Sequence, residues 1–217
     1  EAVALKGRFF MEGKNIPGPS ICVFCASSDH IPARYIETAR ELGRTMVERK
    51  TPLVYGGGNN GLMGVLSREI HERGGKITGV IPHGLKELGY AYEGADEIIV
   101  TDGLRERKAI MEERADGFIG LPGGFGTIEE MVEIITLRQL RMHSKPIVFL
   151  NAGGFYDGLL AQFETGYREG FIPDECRELY LVTGSAGAAL DYIELNDKKE
   201  SEPASRKIFS SDQPMRG

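Results

Sequence analysis

The chain has 217 residues, of which 41% are hydrophobic and 27% are charged, and this balance favours one folded globular domain over a disordered or fibrous chain. Lys and Arg number 26 against 32 Asp and Glu, a net charge of −6 that excludes a general basic surface for nucleic acid. The sequence has three cysteines, no signal-peptide pattern and no apolar run near the roughly 18 residues of a membrane span, so we expect a cytoplasmic protein without a membrane or nucleic-acid partner.

A repeating pattern of strand and helix begins at Ser20. Residues 20–26 form a short apolar run that is typical of a buried parallel strand, and apolar residues recur at helical spacing between positions 32 and 50. A second unit has a strand at 53–55 and a helix that ends at Gly74 and Gly75. Residues 1–19, which precede the pattern, are expected to be an N-terminal extension or a processing remnant.

The alternation continues through the rest of the chain. Strands are predicted at residues 77–81, 98–100, 117–121, 146–150 and 179–182, a loop at 82–96, and helices at 104–114, 128–141, 156–168 and in the Ala-rich segment after 182. This order predicts an α/β fold, a Rossmann-like, doubly wound parallel sheet with helices on both faces, in a single domain of residues 20–195. Residues 196–217 are polar and are predicted to form a mobile or partner-dependent C-terminal tail.

Two glycine-rich turns each follow a predicted strand and open a predicted helix, an arrangement that points backbone N–H groups at an anion. The first, Gly56-Gly57-Gly58-Asn59-Asn60-Gly61, contains the G-x-G-x-x-G pattern of dinucleotide-binding folds. The acidic residue that NAD sites carry about 20 residues later is missing, which argues against an NAD-linked oxidoreductase. The sequence leaves open whether these glycines contact a ligand or only allow close packing.

The second turn is LPGGFGTIEE at residues 121–130. Gly124 and Gly126 allow the backbone to approach a ligand, and Glu130 projects from the first turn of the helix. Thr127 and Glu130 also match a capping box, which is a purely structural alternative. Three glycines and a second carboxylate exceed what a cap requires, and this favours a ligand site.

Other polar and sulfur-containing residues stand at the ends of predicted elements. Arg105-Glu106-Arg107-Lys108 opens a helix, where cations oppose the helix dipole, and this favours a nearby anionic ligand over the alternative of a solvated charged face. Ser27-Ser28 ends the first strand and either contacts the ligand or starts a turn. Cys22 and Cys25 are three residues apart in that strand, so they are predicted to face opposite sides of the sheet instead of forming a redox pair.

The segments GGGNNGLMG, RERK and PGGFGTIEE together resemble the Lonely Guy family of cytokinin-activating phosphoribohydrolases, whose pattern is P-G-G-x-G-T-x-x-E with an upstream Arg-Lys pair. The resemblance covers residues 20–194 and implies that Arg107 and Glu130 are catalytic. Expected substrate contacts are Ser27, Gly57, Gly58, Lys108, Gly124, Phe125, Gly126, Thr127, Ile128, Glu129 and Thr136.

This chain departs from the family pattern at two positions. Many members have a His where this chain has Arg105, and an acidic substrate contact of the family aligns with Gly89, with Glu87 nearby. The family also carries a lysine decarboxylase label, for which the sequence gives no independent support.

The resemblance implies hydrolysis of the N-glycosidic bond of N6-modified adenosine 5′-monophosphates such as isopentenyl-AMP, and of AMP as a further candidate, to free base and ribose 5-phosphate. No cofactor or metal is expected, and the four histidines show no ligand spacing. Membership also implies a homodimer, with helix 128–141 near the interface and the partner completing the site, and some members form larger assemblies. The alternative is a non-catalytic carrier or sensor, because a related branch resembles a molybdenum cofactor carrier.

Overall fold

One parallel sheet with helices on both faces organises the chain. The computed structural model describes the backbone of residues 18–200 and the side chains of residues 18–196. The strands are β1 (Ile21–Phe24), β2 (Leu53–Tyr55), β3 (Ile77–Pro82), β4 (Glu97–Thr101), β5 (Gly117–Gly120), β6 (Ile147–Leu150) and β7 (Leu181–Thr183). The helices are α1 (Ala33–Glu48), α2 (Gly61–Glu72), α3 (His83–Glu87), α4 (Leu104–Arg114), α5 (Phe125–Gln139), α6 (Asp157–Arg168) and α7 (Ala186–Glu200).

The strand order is β4-β3-β2-β1-β5-β6-β7, and every neighbouring pair is parallel. Ile21 on β1 pairs with Leu53 on β2 and with Gly117 on β5, so the chain winds outward from β1 in both directions. The predicted doubly wound α/β fold is confirmed. In such sheets a ligand crevice forms at the carboxyl ends of the strands where the winding reverses, here between β1 and β5.

Two apolar layers fill the spaces between the sheet and its helices. Ile21 and Val23 of β1 pack with α1, α2 and α7, whereas Cys22 and Phe24 face the opposite layer with α4, α5 and α6. Because the central strands are buried on both faces, they appear in the sequence as nearly continuous apolar runs.

Residues 82–96, predicted as a loop, contain the one-turn helix α3, and this part of the prediction is wrong. None of the α3 side chains is buried, so the segment has no apolar periodicity that could reveal a helix. Pro82 precedes its first turn, and Gly89 follows its end with a left-handed φ of 78°.

The ends of the domain agree with the predicted pattern only in part. Helix α7 continues through Asn196 to Glu200, past the predicted boundary at 195. Residues 1–17 and 201–217, which include most of the predicted tail, lie outside the described residues. None of the helices in the described part has the length and apolar character needed to cross a membrane.

Candidate active site

A cavity of about 750 Å³ opens at the carboxyl ends of β1, β2, β3 and β5. It lies where the winding of the sheet reverses, the usual ligand position in this class of fold. Its wall combines the residues that follow β1, the first glycine turn, the N-terminus of α5 and side chains of α4. The volume falls within the roughly 300–1,000 Å³ of small-molecule sites.

An ion pair between α4 and α5 forms part of this wall. The Nη1 atom of Arg107 donates to Oε1 of Glu130 at 2.8 Å, and its Nε donates to the carbonyl oxygen of Val80 at 3.0 Å. Both charged side chains are almost buried, with 12% and 10% of their surfaces exposed. No protein group of the described chain binds the second carboxylate oxygen of Glu130, so that oxygen remains available to a ligand or to water.

Gly56 explains how Arg107 reaches this position. A Cβ at Gly56 would overlap the Nη2 atom of Arg107, so the absent side chain leaves the space that the guanidinium fills. The first glycine of the GGGNNG turn therefore makes room for the ion pair, a packing role that brings a cation into the cavity.

The surroundings of Glu130 change its acidity. Burial raises the pKa of the Glu130 carboxyl above its ordinary value, and the charge and hydrogen bond of Arg107 oppose that rise. The site thus holds a carboxylate whose charge is poorly solvated and is balanced mainly by one neighbour. Perturbed carboxyl groups of this kind in a cavity are typical of functional sites.

The N-terminus of α5 is open to the cavity. The helix begins at Phe125 after an extended Gly124, and Thr127 is its third residue, so the capping-box alternative is wrong. Ile128 donates its N–H to Gly124, whereas the N–H groups of Phe125 to Thr127 have no protein acceptor within the described chain. These free donors and the helix dipole form a site that suits a phosphate.

The N-terminus of α2, by contrast, already has its acceptors within the protein. Gly61 donates its N–H to Oδ1 of Asp29 at 2.7 Å, and Leu62 and Met63 donate theirs to the carbonyl oxygen of Ala26. The G-x-G-x-x-G pattern therefore supports packing of the turn against the end of β1, because the amides that a dinucleotide would need are engaged.

Gly61 should therefore be intolerant of a side chain. It has a φ of 59°, and a Cβ would lie 2.5 Å from the carbonyl oxygen of Ala26 and 2.7 Å from that of Ser28. We expect Gly61→Ala to lower the free energy of unfolding by about 3 kcal/mol or more, the sum of left-handed strain and overpacking. Urea unfolding followed by circular dichroism measures this loss.

Gly74→Ala is the matched control, because Gly74 has a φ of 75° and open space around its Cβ position. It should lose only the conformational cost, about 1 kcal/mol. Equal losses in the two variants would contradict the close approach of the turn to β1.

The structure brings eight of the predicted site residues to the cavity and leaves five away from its wall. Those that line it are Ser27, Gly58, Arg107, Gly124, Phe125, Gly126, Thr127 and Glu130. Those that do not are Gly57, Lys108, Ile128, Glu129 and Thr136. The roles predicted for all of them in substrate binding and catalysis stay predictions.

The residues away from the wall have other contacts. Lys108 forms ion pairs with Glu129 and, at 2.9 Å, with Glu133, which join α4 to α5. The hydroxyl of Thr136 donates to the carbonyl oxygen of Val132 on an exposed part of α5. Gly57, with a φ of 72°, packs against β3.

Several residues that line the cavity are not among those predicted from the sequence. Asp29 and His30 follow the end of β1, and Leu85 and Tyr90 come from the segment that was predicted as a loop. Asn59 lies inside the first glycine turn, in which only the glycines match a ligand-binding pattern. Their positions just after predicted strands could have identified them, because residues that follow parallel strands gather at one edge of the sheet.

Cys22 and Cys25 lie in opposite apolar layers, as predicted. Burial raises the pKa of both thiols, so neither has the low pKa of a reactive cysteine. Among the residues that the structure describes, no cluster of His, Cys, Asp and Glu could hold a metal ion.

Comparisons with known proteins show which family this chain belongs to. A sequence model of the family described as "Possible lysine decarboxylase" matches residues 63–193. The cytokinin riboside 5′-monophosphate phosphoribohydrolase LOG of Oryza sativa subsp. japonica is 44% identical over 166 residues, which cover 76% of this chain and 69% of the relative. LOG2, an enzyme of the same name from Arabidopsis thaliana, is 39% identical over 191 residues, which cover 88% and 90%.

Solved structures share the fold at lower sequence identity. A molybdenum cofactor binding protein from Rippkaea orientalis aligns with a TM-score of 0.64 over 83% of this chain and 98% of that one, with 20% identity. At this identity the likeness concerns the fold alone.

Proposed function

The chain belongs to the LOG family of cytokinin riboside 5′-monophosphate phosphoribohydrolases, and on that premise we propose that it hydrolyses the N-glycosidic bond of N6-modified adenosine 5′-monophosphates and of AMP. The products are the free base and ribose 5-phosphate. The observation that carries this proposal is the buried Glu130 carboxylate in the same cavity as the open N-terminus of α5. Release of base from a monophosphate, followed by chromatography, tests it.

The N-terminus of α5 suits the 5′-phosphate. The N–H groups of Phe125, Gly126 and Thr127 donate to its oxygens, and Gly124 and Gly126 carry no side chain that would hinder the approach. Binding energy from this remote group holds the ribose in place for attack at C1′. A nucleoside without phosphate lacks that energy.

Glu130 acts on the reacting carbon. As the bond from C1′ to the base nitrogen breaks, its electron pair leaves with the base and positive charge develops on the ribose. A carboxylate nearby stabilises that charge and accepts a proton from the attacking water, whose oxygen bonds to C1′. The oxygen of Glu130 that Arg107 leaves free is available for this role.

Arg107 positions Glu130 and favours departure of the base. Its guanidinium is held by Val80 on β3, lies against Gly56 after β2 and pairs with Glu130 on α5. A cation fixed beside Glu130 supports a contact with the leaving base. Arg107 supplies a hydrogen bond there, while the proton that the base takes up comes from water.

The raised pKa of Glu130 predicts the pH dependence of turnover. A carboxyl with a raised pKa takes up its proton at a higher pH, so the active carboxylate is lost as the pH falls through that value. We expect kcat to decline on the acid side with a midpoint above about 4.3, the ordinary value for Glu. The pH profile of kcat at saturating AMP measures this midpoint, because at saturation the rate does not depend on the ionisation of unbound AMP. A kcat that stays constant to below pH 4 would contradict the role of Glu130.

Two other activities have less support. Amino acid decarboxylation by a pyridoxal cofactor needs a lysine for the Schiff base, and none of the described residues that line the cavity is a lysine. A passive phosphate carrier gains nothing from a buried carboxylate near an anion, because like charges repel.

We also propose a homodimer in the cytoplasm. Leu104 on α4, Val132 on α5 and Leu140 just after α5 expose apolar surface, which supports an interface along α5. Thr136 and Lys108 lie on the same pair of helices, so they would contact substrate from the partner's side of such an interface. Sedimentation measures the oligomeric state, and a monomer at micromolar concentration would overturn the proposal.

A further inference from the structure

Asn59, in the first glycine turn, is held by three hydrogen bonds. Its N–H donates to the carbonyl oxygen of Tyr90 at 2.9 Å. Nη1 of Arg68 donates both to the backbone oxygen of Asn59 at 3.1 Å and to its side-chain Oδ1 at 2.7 Å. Gly64 allows this turn of α2 to pass close by, because a Cβ there would overlap the backbone oxygen of Asn59.

These contacts determine which way the Asn59 amide points. An arginine has only donors, so the atom that faces Arg68 must be the acceptor Oδ1 and the amino group must lie at the other end. That Nδ2 group has no protein partner within the described chain. Asn59 is one of the residues that line the cavity, so this oriented and unused donor belongs to the cavity wall.

Asn59 and the N-terminus of α5 belong to different parts of the cavity wall. Asn59 follows β2 and the α5 turn follows β5, and β1 lies between these two strands. We therefore assign Asn59 to a part of the substrate other than the phosphate. Apolar side chains of Leu85 and Tyr90 line the same cavity, which suits a flat ring.

We propose that Asn59 recognises the base, donating from Nδ2 to one ring-nitrogen acceptor of a purine, with Arg68 as its positioning residue. The inference rests on the proposed function and adds the residue that selects the base. Because Arg68 occupies Oδ1, Asn59 does not require the free amino hydrogens at N6 of adenine. An N6-alkylated base therefore keeps this contact.

Analogues of AMP that lack one acceptor each test the contact. Wild-type protein and Asn59→Ala are compared on AMP and on 1-deaza-, 3-deaza- and 7-deaza-AMP. We expect one analogue to lose about tenfold in kcat/KM with the wild type. Asn59→Ala should lose about as much on AMP and should turn over AMP and that analogue equally. Unchanged discrimination among the analogues in Asn59→Ala would overturn the proposal.

Arg68→Met tests the positioning role. It should weaken the discrimination between AMP and the critical analogue while the acid limb of kcat stays in place. Arg73→Met is the matched control, since Arg73 follows the same helix and, among the described residues, forms its ion pair with Glu69 away from the cavity. Full discrimination in Arg68→Met would show that Asn59 needs no orientation by Arg68.

Failure of this inference is distinguishable from failure of the proposed function. If the wild type releases no base from AMP, the proposed function fails, and calorimetric affinities for AMP and the three analogues then give the same comparison for Asn59. If the wild type hydrolyses AMP and Asn59→Ala discriminates as before, only the role of Asn59 fails.

Discussion

Glu130→Gln should reduce kcat for AMP and isopentenyl-AMP by about 10³-fold, while nucleotide binding persists. The amide keeps the size of the side chain and a hydrogen-bond acceptor for Arg107, but it cannot accept a proton from water or carry the charge that stabilises the transition state. A general base typically contributes about 10²–10⁴-fold, and one electrostatic contact about 10²–10³-fold. Single-turnover release of base measures the chemical step.

The same variant should fold at least as stably as the wild type at neutral pH. Burial raises the pKa of Glu130, so folding favours the protonated carboxyl. The stability that the protonated form contributes is lost as the pH rises through the raised pKa, and above it the folded protein carries the cost of a buried carboxylate. The neutral amide of Gln removes the cost of that buried charge. Thermal unfolding at pH 7 separates this result from loss of activity through misfolding.

Glu133→Gln is the matched control for Glu130→Gln, because Glu133 lies one turn further along α5, is more exposed and is paired with Lys108 outside the cavity. Its kcat should stay within about twofold of the wild type, as for exposed ion pairs of small energy. Comparable losses in both variants would mean that general charge on α5, and not a catalytic carboxylate, supports turnover.

Phe125→Pro should lower kcat/KM for the monophosphate by about 100-fold. Phe125 is the first residue of α5, where proline fits the helix and removes only a backbone N–H that already lacks a protein acceptor. The preceding Gly124 is extended, as a residue before proline prefers. A charge-assisted hydrogen bond to phosphate is worth about 1.5–3 kcal/mol, which corresponds to this loss.

Phe125→Ala separates the amide from the ring. The ring is 95% exposed, so its removal costs little packing, and the N–H remains. If Phe125→Ala loses as much as Phe125→Pro, the aromatic ring and not the helix N-terminus binds the substrate. Any slow turnover of the unphosphorylated nucleoside should be equal in the two variants.

Much of the fold could be predicted because its central strands are buried on both faces. The runs at 20–26, 117–121 and 146–150 each lie on a strand of the observed sheet, and helix α4 has the predicted bounds. Helix α3 was missed because five exposed residues leave no apolar pattern. Short helices of this kind depend on their surroundings more than on their own sequence.

The candidate site was predictable where it depends on motifs and not where it depends on tertiary contacts. The glycine turn before α5, where we propose that the phosphate binds, is visible in the sequence as a motif. The Arg107–Glu130 pair joins two helices that the crossover from β4 to β5 brings together, and spacing along the chain does not encode that contact. Likewise, Thr127 matched a capping box, but the observed start of α5 at Phe125 places it inside the helix.

The most direct test is to incubate the purified protein with isopentenyl-AMP, AMP and the two corresponding nucleosides, and to separate the products by chromatography. We predict free base and ribose 5-phosphate from the monophosphates, with at most trace release from the nucleosides, because in the proposed mechanism the N-terminus of α5 holds the phosphate and so positions the ribose. Binding of the monophosphates without release of base would contradict the account and would favour a nucleotide carrier.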